Sequence, residues 1–130
     1  MKITFITPPP IKGIKPAERT AGCTRVVYAM PNIYELTVAA LFEQEGYEVN
    51  YMDFVLEKKT SDDLDRFLSF DTSDCYCFWS VNLSMEADLL ALKQIRKYDI
   101  TAKVLFMGPA PTYYIRKFLS DEHVFVLRGE

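Results

Sequence analysis

The sequence predicts a three-layer, doubly wound α/β domain: a five-stranded parallel sheet of order 2-1-3-4-5 with helices on both faces. Three observations predict it. Short apolar, β-branched runs alternate with stretches of helical spacing along the whole chain. Almost every strand-like run stops on proline, glycine or a small hydroxyl residue. The 130 residues suit one domain, and 49% of them are hydrophobic, enough for a real core.

The first strand is Lys2 to Thr7, cut off by Pro8-Pro9-Pro10, which cannot continue a ladder. A long segment without clear period follows over 8–31, punctuated by Gly13, Pro16, Gly22 and Pro31. Such a loop inside a compact domain is unusual and is often functional or disordered. Tyr34, Val38, Leu41, Phe42 and Glu45 then fall at helical spacing, predicting a helix from Asn32 to a stop at Gly46. Glu48 to Asp53 alternates polar and apolar residues, which suits an edge strand.

Thr60-Ser61-Asp62-Asp63 offers a cap and acidic first turn for a second helix, whose apolar face is Leu64, Phe67 and Leu68. Cys75 to Val81 is a continuous apolar run, the pattern of a strand buried on both faces. Ser84 is placed to cap a third helix with Met85, Leu89, Leu92 and Ile95 on one stripe. Lys103 to Met107 is the fourth strand, Thr112 to Leu119 a short fourth helix and His123 to Leu127 the fifth strand. Parallel strands need helical crossovers, nearly always right-handed. The alternation therefore gives a flavodoxin-like sheet, residues 1–130 forming one domain.

Composition excludes some functions. A net charge of −3 argues against broad nucleic-acid binding. No apolar run reaches the length of a membrane helix, and the N-terminus lacks a signal-peptide pattern, so a cytoplasmic location is expected. The three cysteines, Cys23, Cys75 and Cys77, do not make a disulfide framework. Cys75 and Cys77 share one face of the third strand as buried thiols, and no second ligand pair suggests a metal.

Ligands of doubly wound sheets bind beyond the carboxyl ends of the strands, at the switch point between strands 1 and 3. Five segments converge there: Thr7 to Pro10, Asp53-Phe54, Ser80-Val81-Asn82, Gly108 to Thr112, and Arg128-Gly129-Glu130. They read as a rim of backbone and small side chains, not an acid–base centre. Thr7-Pro8 and Ser80 stand where a phosphate-accepting receiver needs carboxylates. The prolines remove N–H donors that a flavin phosphate loop uses. There is no dinucleotide or Walker glycine motif. His123 opens strand 5 at the opposite end and reads as a structural or surface residue, not a catalytic one. The sequence shows no catalytic residue. Lys12, Lys15, Arg19 and Arg25 make the long loop basic: either a solvated face or a set of contacts to an anion or to a ligand's amide groups.

"ITFITPPP", "LFEQEGYEVNYMD", "DCYCFWSVNLS", "KVLFMGPAPT" and "VFVLRGE" together resemble the cobalamin-binding-like N-terminal domain of radical S-adenosylmethionine enzymes of the magnesium-protoporphyrin monomethyl ester cyclase type. The resemblance covers nearly the whole chain outside 11–30. It implies a module that holds cobalamin without a histidine on cobalt, since the Asp-x-His-x-x-Gly motif is absent. By position it assigns the nucleotide tail to Thr7, Pro8, Ser80, Asn82, Gly108, Pro109 and Thr112, and the corrin to Leu83 and Tyr113. S-adenosylmethionine and a 4Fe-4S cluster would belong to a downstream radical domain, the module's partner, because no Cys-x-x-x-Cys-x-x-Cys occurs here. The chain is then expected to be a domain excised from a longer enzyme. The competing reading is a non-catalytic docking or regulatory module that binds no cofactor. A stand-alone flavodoxin-like enzyme is disfavoured by the apparent lack of acid–base groups.

Overall fold

The structure is a computed structural model, and it describes residues 1–20, 24, 25 and 28–129. Five strands form one parallel sheet of order β2-β1-β3-β4-β5, as the sequence predicts. They are β1 (Lys2–Thr7), β2 (Glu48–Asp53), β3 (Cys75–Trp79), β4 (Lys103–Met107) and β5 (Val124–Val126). The helices between them are α1 (Ile33–Gln44), α2 (Ser61–Phe70), α3 (Met85–Tyr98), α4 (Pro109–Tyr113) and α5 (Ile115–Phe118).

The register explains the patterning. β1 pairs with β2 from Lys2↔Glu48 to Thr7↔Asp53, and with β3 through Ile3↔Cys75 and Phe5↔Cys77. β2 is an edge strand, consistent with its alternation. Successive side chains point to opposite faces, so two cores form. Ile6, Tyr76, Phe78, Val104, Phe106 and Val124 pack beneath α2, α3 and α5, with Leu64, Leu92, Ile95 and Phe118. Ile3, Phe5, Cys77 and Met107 pack on the other face with Ala39 of α1. Phe125 points to that second face and stays about half exposed, beyond the reach of α1.

Local chemistry sets the ends. Thr60 and Asp63 form a reciprocal capping box on α2. Asn32 caps α1, its Oδ1 accepting from Tyr34 N at 3.1 Å and Glu35 N at 3.4 Å. Gly46 ends that helix region with φ +85°, a conformation glycine adopts freely.

Three expectations need correction. The fourth helix is not continuous over Thr112–Leu119. It starts at Pro109, breaks at Tyr114 and resumes as α5, because Pro109 and Pro111 pre-set a first turn directly after Gly108. The inward stripe of α1 is Glu35, Ala39 and Phe42, while Tyr34 and Leu41 lie on its flank and are largely exposed. Ser84 does not cap α3 with its side chain. Its hydroxyl turns inward instead. Cys77 is buried and Cys75 half-buried on one face, as expected, whereas Cys23 lies outside the described residues.

Candidate functional site

The sequence-derived residues scatter. Thr7, Pro8 and Ser80 are buried at the carboxyl ends of β1 and β3. Gly108 joins them, for Ala110 N–H donates to the Ser80 carbonyl at 3.1 Å and Ser80 N–H to the Met107 carbonyl at 2.8 Å. Thr112 folds back onto its own turn, donating to the Gly108 carbonyl at 2.9 Å. Leu83 is half-buried, and its carbonyl accepts from Arg25 at 3.3 Å. Asn82, Pro109 and Tyr113 point to solvent, Tyr113 at 82% exposure. Gly129 is exposed and Glu130 lies outside the described residues.

What fills the switch point is a set of charged residues: Asp53 and Arg19, which the sequence singled out, and Glu35 and Asp88, which sequence reasoning missed. Glu35 projects from α1 into the gap between β1 and β3. Its Oε1 accepts from Trp79 N–H at 3.2 Å, and its Oε2 from Tyr51 OH at 3.3 Å and Thr7 Oγ1 at 3.4 Å. Burial pushes its carboxyl up to about 8, against the lowering effect of Arg19. Burial, with the Glu35 charge second, pushes Tyr51 up to about 12. Asp88, fully buried in the first turn of α3, accepts at Oδ2 from Ser80 Oγ at 2.5 Å and Ser84 Oγ at 2.8 Å.

Arg19 closes the set. The long loop carries it back over the sheet edge, pinched by the Ala17↔Arg25 bridge and by Arg25 donating to the Lys15 carbonyl at 2.9 Å. Its side chain is only 8% exposed. Nη1 donates to the Trp79 carbonyl at 2.7 Å and forms an ion pair with Asp88 Oδ1 at 2.9 Å. The basic loop is therefore not simply solvated: Lys12, Lys15 and Arg25 are exposed, but Arg19 is core. The edge is also not a rim of small groups alone, because Glu35, Asp53 and Asp88 stand around that guanidinium. Asp53 is partly spoken for, its Oδ1 accepting from Val55 N at 3.0 Å and Leu56 N at 2.9 Å, and burial raises its carboxyl above the ordinary range.

Little space remains. A cavity of about 30 Å³ lies among Thr7, Arg19, Asn32 and Asp53, and one of about 40 Å³ among Pro8, Ile14, Arg19 and Leu83. Each has room for a water or two. Asn32 Nδ2 is buried there with no hydrogen-bond partner among the described residues. A larger, shallow depression of about 940 Å³ opens at the opposite edge of the sheet. Its carboxylates serve the fold: Asp71 pairs with Lys2 at 2.7 Å and accepts from Tyr76, and Asp99 caps Thr101 and Ala102.

No protein-family model, curated protein or solved structure matches this chain. The site must be judged on its own geometry. A nucleotide tail needs several hundred Å³, far beyond either crevice. The close approach that Gly108 permits is taken by the chain itself: a Cβ there would stand 2.8 Å from the Ser80 carbonyl oxygen and 3.2 Å from the Trp79 ring. As arranged, these residues do not fit a cobalamin tail. His123 sits at the start of β5, half-buried beside Glu122, remote from this edge. Among the described residues no group of His, Cys, Asp or Glu is placed to hold a metal, and no helix is long and apolar enough to cross a membrane.

Proposed function

We propose that the chain is the cobalamin-binding-like N-terminal domain of a cytoplasmic radical S-adenosylmethionine enzyme, a non-catalytic module that works beside its own downstream radical domain. One observation carries this reading. Turns from three strands, at Thr7, Ser80 and Gly108, meet at the switch point of a 2-1-3-4-5 parallel sheet, the place where such sheets take ligands. The Asp-x-His-x-x-Gly cobalt-ligand motif is absent, so this reading assigns no residue of the chain to cobalt. S-adenosylmethionine and the iron–sulfur cluster would reside downstream.

A second reading has its own support. The Arg19–Asp88 pair fills the crevice, which favours a docking or regulatory module that holds no cofactor. Under the first reading the loop around Arg19 must leave before a tail can enter. Under the second it stays.

Mixing the purified domain with hydroxocobalamin, removing free ligand and recording the visible spectrum separates the two. Retained corrin supports the first reading. No retained corrin at high micromolar ligand leaves the second. The radical-enzyme assignment is tested separately by the parent gene, where a Cys-x-x-x-Cys-x-x-Cys motif is expected beyond residue 130 and its absence overturns the assignment.

A further inference from the structure

One face of the sheet is only half covered. Four helices stand on the first core face, while on the other α1 is the only helix among the described residues. It packs on Ile3, Phe5 and Cys77. Beyond it Leu105 is half-buried on β4, and Phe125 on β5 is 47% exposed. Sheets made only of parallel strands are normally covered on both faces, so the strip over β4 and β5 is an unfilled trough.

The wall of the trough is apolar too. Tyr34, Val38, Leu41 and Glu45 follow one another at helical spacing along one flank of α1. The Tyr34 ring stacks on Trp79 at the end of β3, with centroids 5.4 Å apart, which turns this flank toward β4. Leu41 stands on it 55% exposed. From Tyr34 to Glu45 the helix rises about 16 Å, and from Met107 to Lys103 the trough runs about 13 Å. A helix flank and an empty strip of matching length therefore lie side by side on one surface.

Charge gives the pair a direction. α1 runs antiparallel to the strands, from Asn32 near the carboxyl end of β1 to Gly46 just before β2 opens. Its last turn holds Glu43 and no base, and Glu45 is its C-cap, where the helix dipole disfavours a carboxylate. Lys103 opens β4 at that same end of the sheet, on the trough side with Cys75 and Leu105. Neither Glu45 nor Lys103 has an ion-pair partner among the described residues.

We propose that this face pairs two copies of the chain about a two-fold axis parallel to the strands, each α1 lying in the trough of the other. Such an axis keeps the two helices running the same way, so Glu45 of each copy reaches the trough end that Lys103 marks in the other. The contact is isologous: Leu41 of one copy meets Phe125 of the other, and the reverse holds by symmetry. The apolar strip supplies the affinity, and the charge pair at its rim fixes the register. The pairing is independent of whether the switch point holds a cofactor.

Light scattering coupled to gel filtration tests it. At tens of micromolar the chain should elute with twice its mass of 15.0 kDa and dissociate on dilution. Leu41→Glu and Phe125→Glu, both at exposed positions, should give folded monomers. Leu90→Glu, at a similarly exposed apolar position on α3 across the sheet, should leave the dimer intact. Lys103→Glu alone and Glu45→Lys alone should each weaken association roughly tenfold, because the two-fold repeats the charge contact. The two reversals combined should restore it. A monomer at every concentration overturns the proposal. So does a dimer that survives Leu41→Glu, a dimer lost equally to Leu90→Glu, or a pair of charge reversals that fails to compensate.

Discussion

Trp79 donates its backbone N–H to Glu35 Oε1 at 3.2 Å, tying the last residue of β3 to a carboxyl that hangs from α1. The same carboxyl takes hydroxyl donors from β1 and β2 through Thr7 and Tyr51. Three strands are therefore referenced to one side chain of one helix.

That side chain should make stability depend on pH. Its carboxyl titrates near 4.5 when exposed and at about 8 when folded, because burial disfavours the charge. Between those values the folded state keeps a proton that the unfolded state has lost, so stability falls as pH rises across the interval. The contribution is complete below about 4.5 and gone above about 8. Glu35→Gln fixes the neutral form. Thermal unfolding at a series of pH values should show the variant gaining on the wild type as pH rises. Parallel curves would refute the assignment.

Gly108 adopts φ +100°, and any Cβ would meet the Ser80 carbonyl, which is backbone and cannot swing away. Gly108→Ala should lose roughly 1–3 kcal/mol, from left-handed strain plus the close contact. Urea unfolding would read this as a lower midpoint with unchanged slope.

The break in the fourth helix predicts a contrast between neighbours. Phe118 on α5 is fully buried against Phe106, with ring centroids 4.8 Å apart, while Tyr113 on α4 faces solvent. Phe118→Ala should cost roughly 3–5 kcal/mol. Tyr113→Ala should stay within about 0.5 kcal/mol of wild type. Comparable losses would mean that α4 and α5 pack as one helix.

At α2 the capping box gives a smaller effect. Thr60→Ala should destabilise by about 1 kcal/mol, and Thr60→Ser should recover most of it because the serine hydroxyl also reaches Asp63 N–H. Equal losses in the two variants would show that the methyl, not the hydroxyl, matters.

The sheet was legible because its signals are local. β-branched runs, Gly46, Pro8 and the Thr60 box each act within a few residues, and right-handed crossovers leave few topologies. The site was less legible. Thr7, Ser80 and Gly108 could be placed from topology alone, but Arg19 could not, since a loop of this length has no register to tell which residue turns inward. Two signals were there to be read. Glu35 sits on the same face of α1 as Ala39 and Phe42, and Asp88 lies between Met85 and Leu92 on the buried stripe of α3. A carboxyl group on an apolar stripe needs hydrogen-bonding or ionic partners from elsewhere in the chain. Asn82 and Tyr113 were assigned by adjacency to the turns, and adjacency does not tell which side chains of a turn face solvent.

The position of β1 also bears on how the chain is made. β1 is made before the other four strands of this sheet, yet it lies inside the sheet with later strands on both flanks. One flank is not fully paired until Asp53 has emerged, and the other not until Cys77 has. Ile3, Phe5 and Ile6 must wait in an unpaired segment while loops of several tens of residues close. A translation intermediate that ends before β3 therefore carries an apolar strand open on at least one flank, and assembly of this sheet runs out of step with synthesis.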